Sequence, residues 1–126
     1  MTNKEIIEQN AEEKREIDWD LKEMCLLANV DKNDIDNVLA AVYGENDGAD
    51  WHYIVLMKDG EHAYISGGCD YTGWDCQASA SLVKKGSLDE VVEAVPEEEN
   101  YYKRGNLREH LKKQLAHEMP FGLISQ

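Results

Sequence analysis

Cysteine and proline are scarce in this chain, and their scarcity excludes several classes of protein. Its 126 residues include three cysteines and two prolines. A small, odd number of cysteines does not fit the disulfide framework of small secreted domains. So few prolines exclude collagen-like and mucin-like chains, and 42% apolar residues suffice for one core without a disulfide or structural metal. The length therefore predicts one small domain, residues 1–126.

Long apolar runs are also missing. The longest covers residues 38–43, far short of the roughly 18 apolar residues that a membrane-spanning helix needs. The first five residues, MTNKE, lack the basic and then apolar pattern of a secretory signal. We therefore expect a protein that does not enter a membrane and that works in the reducing cytoplasm.

Basic residues are half as frequent as acidic ones, 13 Lys and Arg against 26 Asp and Glu, and the formal net charge is −13. The excess lies mainly in residues 1–50, which hold 14 acids and 5 bases. Such a surface repels DNA phosphates and anionic lipids, so direct binding of nucleic acid or membranes is disfavoured. A protein partner with a basic surface is favoured, and an array of carboxylates can also imitate a nucleic-acid backbone.

Helical periodicity dominates the first 44 residues. Thr2 and Glu5 have the spacing of a capping box. Apolar residues follow at helical spacing, namely Ile7, Ala11, Ile17, Leu21, Met24, Cys25 and Ala28. Asp31 predicts the N-cap of a second helix, which ends at Gly44. Its inward residues would be Ile35, Val38, Leu39 and Val42. Residues 1–44 are therefore expected to form a helical hairpin.

The apolar period changes to alternation after residue 50. A DG dipeptide at residues 59–60 separates two strand-like segments, 51–58 and 61–66, and is typical of a two-residue type I′ turn. That turn makes Leu56 oppose Ala63. The aliphatic face, expected to meet the helices, consists of Ile54, Leu56, Ala63 and Ile65. The opposite face, expected to be partly covered or to face a partner, consists of Trp51, Tyr53, Val55, Met57, His62 and Tyr64.

The remainder of the chain predicts one more strand and two helices. Residues 78–83 suit a third strand that pairs back onto the hairpin. Ser87 with Glu90 has capping-box spacing before a short helix, and Asn106 caps a last helix with a leucine stripe, both within residues 87–118. We therefore expect a single α+β domain. It would be a small antiparallel sheet built on the central β-hairpin and packed with N-terminal and C-terminal helices.

The sequence GGCDYTGWDCQ at residues 67–77 has a composition that no ordinary strand or helix explains. It contains three Gly, two Cys and two Asp together with Trp, Tyr, Thr and Gln. Following an acidic turn, an aromatic strand and a DG hairpin, it resembles a signature of small uncharacterised proteins of bacteria and their phages. The resemblance covers residues 43–77, about 35 of the 126. It implies a shared layout but no activity and no catalytic residue.

Two interpretations of this loop concern structure and binding. As a structural loop, Asp70 and Gly73 suit the first and fourth positions of a type I turn, with the aromatic side chains against the edge of the core. As a binding loop, it presents rigid aromatic anchors and hydrogen-bonding acids on a scaffold. The binding residues predicted on the hairpin and the loop are Trp51, Tyr53, Tyr64, Asp70, Tyr71, Trp74 and Asp75.

Three chemical alternatives use the cysteines of the loop. Cys69, Cys76 and His52 would form a metal site, although six residues between the cysteines exceed the usual zinc spacing of about two to four. The same cysteines would form a reversible disulfide if their Cα atoms lie within about 7 Å. Cys76 would be a nucleophile with His52 or His62 as its base. No flanking pattern fixes these geometries, so no catalytic residue, metal ligand or cofactor is predicted.

The other cysteine and two other histidines have simpler interpretations. Cys25 lies among apolar residues and is expected to be a core thiol. His110 and His117 are seven residues apart on the last predicted helix. They form either solvated positions or a titratable, metal-binding edge.

The function expected from these observations is that of a non-catalytic, acidic, cytoplasmic protein-binding module. It would be an accessory or inhibitor protein of the phage or mobile-element kind, acting on a host protein or a nucleic-acid-binding complex. The alternative is a small thiol- or zinc-dependent enzyme centred on Cys69, Cys76 and His52.

Overall fold

The chain folds around a five-stranded sheet with helices on both of its faces. The computed structural model describes residues 2–43, 51–70, 77–97 and 106–123. The elements are α1 (Asn3–Ala28), β1 (Ile35–Tyr43), β2 (Trp51–Met57), β3 (His62–Asp70), β4 (Gln77–Gly86), α2 (Leu88–Glu93), α3 (Leu107–Leu115) and β5 (Gly122–Leu123). The strand order is β4-β3-β2-β1-β5, antiparallel except for β1 and β5. The predicted α+β fold is confirmed.

Each face of the sheet carries its own hydrophobic core. α1 packs on β3 and β4 from one side, while α2 packs on β3 and β4 and α3 on β1 from the other. The α1 core contains Leu21, Met24, Cys25, Val38, Ala41, Trp51, Tyr53, Val55, Met57, Ala63, Ile65 and Phe121. The opposite core contains Ala40, Val42, Ile54, Tyr64, Val91, Val92, Val95, Leu107 and Leu111. The sheet is therefore the middle of three layers.

The N-terminal helix forms as predicted, but the inner face of its first turns differs from the prediction. Thr2 is the N-cap, and its hydroxyl accepts a hydrogen bond from the Glu5 N–H at 3.2 Å. The predicted inward residues that are buried are Leu21, Met24 and Cys25. Ile6 is also buried, whereas Ile7 is 49% exposed and Ala11 is exposed. The prediction that Ile7 and Ala11 point inward is therefore wrong.

The second predicted helix is wrong, because residues 35–43 form the strand β1. After a short 3₁₀ turn at Lys32–Asp34, β1 pairs antiparallel with β2, and the register shifts twice, which marks two β-bulges. A bulge adds one residue, so positions on one face recur every three residues instead of every two. The positions that face α1 are Ile35, Val38 and Ala41. This three-residue spacing resembles the periodicity of a helix, which explains why a helix was predicted here. Residues 1–44 therefore do not form a helical hairpin.

The β2–β3 hairpin is present, but its turn has three residues rather than the predicted two. The Met57 N–H donates to the Glu61 carbonyl at 2.8 Å, and the Gly60 N–H donates to the Met57 carbonyl at 3.0 Å. Gly60 has a φ of 92°, and Asp59 does not share the positive φ that a type I′ turn requires. A type I turn followed by a left-handed glycine is the usual three-residue hairpin loop.

One extra turn residue changes which side chains of the hairpin share a face. Val55, rather than Leu56, opposes Ala63, and Leu56 opposes His62. A shift of one residue moves every β3 side chain to the other face relative to β2. The residues facing α1 are thus Trp51, Tyr53, Val55, Met57, Ala63 and Ile65. The predicted division into an aliphatic and an aromatic face is wrong.

The predicted third strand is confirmed as β4, which pairs with β3 along its length. α1 crosses this pair of strands so closely that Gly67 has no space for a side chain. A Cβ built there would lie 2.8 Å from both the Ala80 Cβ and the Ser79 carbonyl oxygen, and closer still to the Met24 Sδ. Glycine at position 67 is therefore required by the packing of α1 on the sheet.

The two C-terminal helices are confirmed, and one arginine joins them. Ser87 and Asn106 are their N-caps, as predicted. The Arg108 guanidinium of α3 donates to the carbonyls of Glu93 and Val95 at 2.9 Å, which satisfies acceptors at the end of α2. None of the helices in the described part of the chain has the length and apolar character to cross a bilayer.

The last strand, β5, is a two-residue element that no sequence pattern predicted. It pairs parallel with the end of β1. Buried amides hold this region together: the Asn10 Oδ1 of α1 accepts from the Phe121 N–H, and the Gln114 Oε1 of α3 accepts from the Ala41 N–H, both at 2.8 Å. Each satisfies a backbone donor that would otherwise lack a partner in the core.

Replacing Gly67 by alanine is expected to destabilise the fold by about 1–3 kcal/mol, because the added methyl group overpacks the contact between α1 and the sheet. Chemical denaturation measures this change. Ser81→Ala, at an exposed position of β4, is the control and should change the free energy of unfolding by less than about 0.5 kcal/mol. Wild-type stability for Gly67→Ala would contradict the close packing of α1 on β3.

Candidate functional site

Three of the seven predicted binding residues belong to the core. Trp51, Tyr53 and Tyr64 are 5%, 0% and 1% exposed. Trp51 and Tyr53 contact the α1 layer and Tyr64 lies on the opposite face. The Trp51 indole donates to the Asp20 carboxylate of α1 at 3.3 Å, and burial raises the pKa of the Tyr53 phenol. The expectation that these side chains form one accessible aromatic surface is therefore wrong.

Of the other four predicted binding residues, the structure describes only the backbone of Asp70. The backbone of Asp70 ends β3 and pairs with Gln77. Tyr71, Trp74 and Asp75 fall in residues 71–76, outside the described residues. Cys76 is in the same segment. The binding, turn, disulfide and metal interpretations of this loop therefore stay predictions.

His52 forms a buried polar cluster with Tyr64 and Ser66 on the α2–α3 side of the sheet. His52 pairs with Ser66 across β2 and β3. The predicted two-residue turn would have paired it with Gly67, one residue further along β3. The Nδ1 atom lies 2.8 Å from the Tyr64 hydroxyl and 3.2 Å from the Ser66 hydroxyl. The His52 and Tyr64 rings stack with their centroids 6.0 Å apart. The cluster joins β2 to β3 through side chains as well as through the backbone.

Ser66 connects this cluster to the surface, because it also lines an open cleft of about 380 Å³. The other lining residues are Gly67, Gly68, Ser79, Ala80 and Ser81. A hydroxyl hydrogen-bonded to an imidazole is a pairing that enzymes use to activate a nucleophile. Here the Tyr64 hydroxyl contacts the same His52 nitrogen at a shorter distance than the Ser66 hydroxyl does. The described residues therefore show a hydroxyl–imidazole contact of this kind, shared with a phenol.

No metal site is evident in the described part of the chain. Among those residues, no group of three or more His, Cys, Asp or Glu side chains could hold an ion. The Cys69 side chain and Cys76 lie outside the described residues. The metal site formed by Cys69, Cys76 and His52 therefore stays a prediction.

Cys25 is a buried thiol, as predicted. It is 1% exposed, and lies in the core between α1 and the sheet. Burial raises the pKa of its thiol to about 11, an effect that Lys32 opposes and Asp31 reinforces. Since the thiolate is the nucleophilic form, Cys25 is unreactive at neutral pH.

The two C-terminal histidines do not form one edge of a helix. His110 is partly buried on α3, and burial together with the nearby Lys113 charge lowers its pKa. His117 follows the end of α3, is exposed and has a left-handed φ of 56°. His117 therefore lies beyond the helix, and the prediction that both histidines are on the last helix is wrong.

The most prominent exposed apolar side chains of the described residues lie on α1. Trp19 and Leu26 are each 67% exposed. They are seven residues apart, which is two helical turns, so they lie on the same face of the helix. Since Leu21, Met24 and Cys25 bury the inner face, this face points away from the sheet.

Acidic side chains extend the same face. Glu8 and Glu12 precede Trp19, and Glu23 lies between Trp19 and Leu26; all three are exposed. Glu8 and Glu12 are four residues apart, Glu12 and Trp19 are seven apart, and Trp19 and Glu23 are four apart, which keeps these side chains in line along α1. The row, here called the α1 outer row, consists of Glu8, Glu12, Trp19, Glu23 and Leu26. At about 1.5 Å of rise per residue it is roughly 27 Å long.

Trp19 and Leu26 were not predicted from the sequence as functional candidates. A signal for Trp19 was present, because it falls outside the helical stripe that contains Leu21, Met24 and Cys25. An apolar residue that is out of phase with the buried stripe of its helix lies on the solvent side. Leu26 was hidden because it adjoins Cys25 in a continuous apolar segment, so its direction depends on the exact phase of the helix.

Comparison of the chain with models of known protein families, with curated proteins and with solved structures finds no match. The resemblance of residues 43–77 to small bacterial and phage proteins stays a prediction.

In a Cys69→Ser/Cys76→Ser variant, Cys25 is the one remaining cysteine. We expect it to react slowly with iodoacetamide at about pH 8, just below the ordinary pKa of a thiol. Because the folded pKa is raised, the stability contributed by the neutral thiol is complete below the unfolded pKa of about 9 and is lost as pH rises through about 11. The alkylation rate in the native and denatured states measures this protection. Equal rates at about pH 8 would contradict the burial of Cys25.

Proposed function

We propose that this chain is a non-catalytic, acidic, cytoplasmic protein-binding module and that the α1 outer row is its contact surface. The observation that carries the proposal is the exposure of Trp19, at 67%, since tryptophan is on average a highly buried residue. Leu26 is equally exposed two turns further along the same face. Two aligned apolar side chains on a helix whose other face is already buried are suited to cover by a partner.

Trp19 and Leu26 can supply most of the binding energy. Burying a large apolar side chain contributes about 1.5–3 kcal/mol, and tryptophan is enriched among the residues that dominate protein interfaces. α1 is fixed to the body of the protein by the hydrogen bonds from Trp51 to Asp20 and from Phe121 to Asn10. A rigid helix presents the row without loss of backbone freedom on binding.

The charge of the row selects the partner. Glu8, Glu12 and Glu23 lie in the same row as the two apolar side chains, in a chain with a net charge of −13. We infer a protein partner with a basic surface, because its lysine and arginine residues would pair with these carboxylates and speed association. A groove that normally holds nucleic acid is one such surface. The module would then act as an accessory or inhibitor protein of a nucleic-acid-binding complex, of the phage or mobile-element kind.

The loop at residues 67–77 is a second contact candidate within the same proposal. Tyr71 and Trp74 are aromatic anchors, and Asp70 and Asp75 are hydrogen-bond acceptors by composition. The alternative function, a thiol- or zinc-dependent enzyme centred on Cys69, Cys76 and His52, is less well supported. The His52 Nδ1 atom already contacts the Tyr64 and Ser66 hydroxyls, at 2.8 and 3.2 Å.

Trp19→Ala is expected to weaken binding to a partner isolated with the wild-type chain by about thirtyfold, the effect of losing a central interface anchor of about 2 kcal/mol. Isothermal titration with the purified partner measures the affinity. Glu8→Gln with Glu12→Gln should slow association and reduce the salt dependence of the rate, because exposed charges act over a Debye length of about 8 Å at physiological ionic strength.

Val83→Ala is the matched control, since Val83 is an exposed apolar residue, 47% accessible, on β4. It should leave the affinity unchanged. Trp74→Ala distinguishes the two contact candidates. An affinity that stays within about twofold of wild type after Trp19→Ala would contradict the α1 outer row as the contact surface, since such a change is far below that of an interface anchor.

A further inference from the structure

A small cavity lies between the first half of α1, the strand β1 and the segment that leads into β5. Its volume is about 220 Å³. The lining residues are Ile7, Asn10, Ala11, Lys14, Asn37, Val38, Leu39, His117 and Phe121. A cavity of roughly 150 Å³ with an apolar lining accommodates benzene. This cavity therefore has room for a molecule with one aromatic ring and a short polar substituent.

The walls of the cavity are held in place by hydrogen bonds between distant parts of the chain. The Asn10 Oδ1 accepts from the Phe121 N–H at 2.8 Å, which fixes the C-terminal wall to α1. Lys14 donates to the Asn37 side chain, which fixes β1 to the same helix. Asn10, Val38 and Phe121 are buried. The site is thus formed before a ligand arrives.

The charge of the lining favours an anion, in contrast to the surface of the chain as a whole. The described residues that line the cavity include no carboxylate, although the chain has 26 acidic residues. Lys14 is at the wall, and its hydrogen-bond partner Asn37 is neutral. An ammonium group beside an apolar pocket can hold a carboxylate through a charge-assisted hydrogen bond while the pocket covers an apolar body.

We propose that this cavity binds a small aromatic carboxylate. The ring would pack among Ile7, Val38 and Phe121, and the carboxylate would accept from the Lys14 ammonium. The exposed face of Ile7 at the rim, 49% accessible, gives the ligand a path to the cavity. Ile7, Ala11 and Lys14 lie in a row about 100° around the helix from Glu8 and Glu12. The site is therefore separate from the α1 outer row and does not depend on the proposed partner.

NMR titration of the full chain with phenylacetate tests the proposal. Saturable shifts are expected at the amides of Ile7, Ala11 and Val38. Phenylacetamide, which keeps the ring and removes the charge, should bind at least fivefold more weakly. Lys14→Met keeps the apolar stem of the side chain and should weaken phenylacetate binding about tenfold, as expected for the loss of a hydrogen bond to a charged group.

Lys22→Met is the matched control, because Lys22 is an exposed lysine two turns further along α1. It should leave phenylacetate binding unchanged, and circular dichroism checks that both variants keep their helix content. Ala11→Phe, at an exposed position, should block the cavity without unfolding the chain. Absent or non-saturable shifts, shifts at other residues, equal binding of phenylacetate and phenylacetamide, or an unchanged affinity for Lys14→Met would each overturn the proposal.

Discussion

Burial of the β2–β3 hairpin on both faces is the constraint on which the rest of this structure depends. Because Tyr53 and Tyr64 are buried on opposite sides of the sheet, a single helical layer cannot complete the core, and the chain places α1 on one side and α2 with α3 on the other. Close approach of α1 requires Gly67. Buried Asn10 and Gln114 then attach both layers to the C-terminal segment and to β1. The outer side of α1, with Trp19 and Leu26, is one surface that this arrangement leaves exposed.

The elements that could be predicted from the sequence are those whose ends are marked by local residues. Ser87 and Asn106 cap their helices, and the alternating segment at residues 78–83 became β4. β1 could not be predicted, because two bulges convert its alternation into a three-residue repeat. The hairpin register failed for a similar reason. A DG pair is compatible with two-residue and three-residue turns, and the choice depends on packing in both cores rather than on the turn alone.

The candidate site was harder to predict than the fold, because side-chain direction depends on register. The aromatic residues Trp51, Tyr53 and Tyr64 were predicted to bind a partner, but they are buried in the core. An error of one residue in the turn was enough to assign them to an accessible face. Trp19 was predictable in principle from its phase in α1, whereas the cavity beside Lys14 was not. Its walls come from three segments far apart in the sequence, and only the tertiary structure brings them together.

Trp19, the proposed anchor, is exposed, whereas the aromatic side chains of the hairpin lie in the core. The most direct measurement is attenuation of indole NMR signals by a soluble paramagnetic agent, with Trp19→Phe and Trp51→Phe used for assignment. The exposures of 67% and 5% predict strong attenuation of the Trp19 signal and protection of the Trp51 signal. Protection of Trp19 together with attenuation of Trp51 would contradict the account.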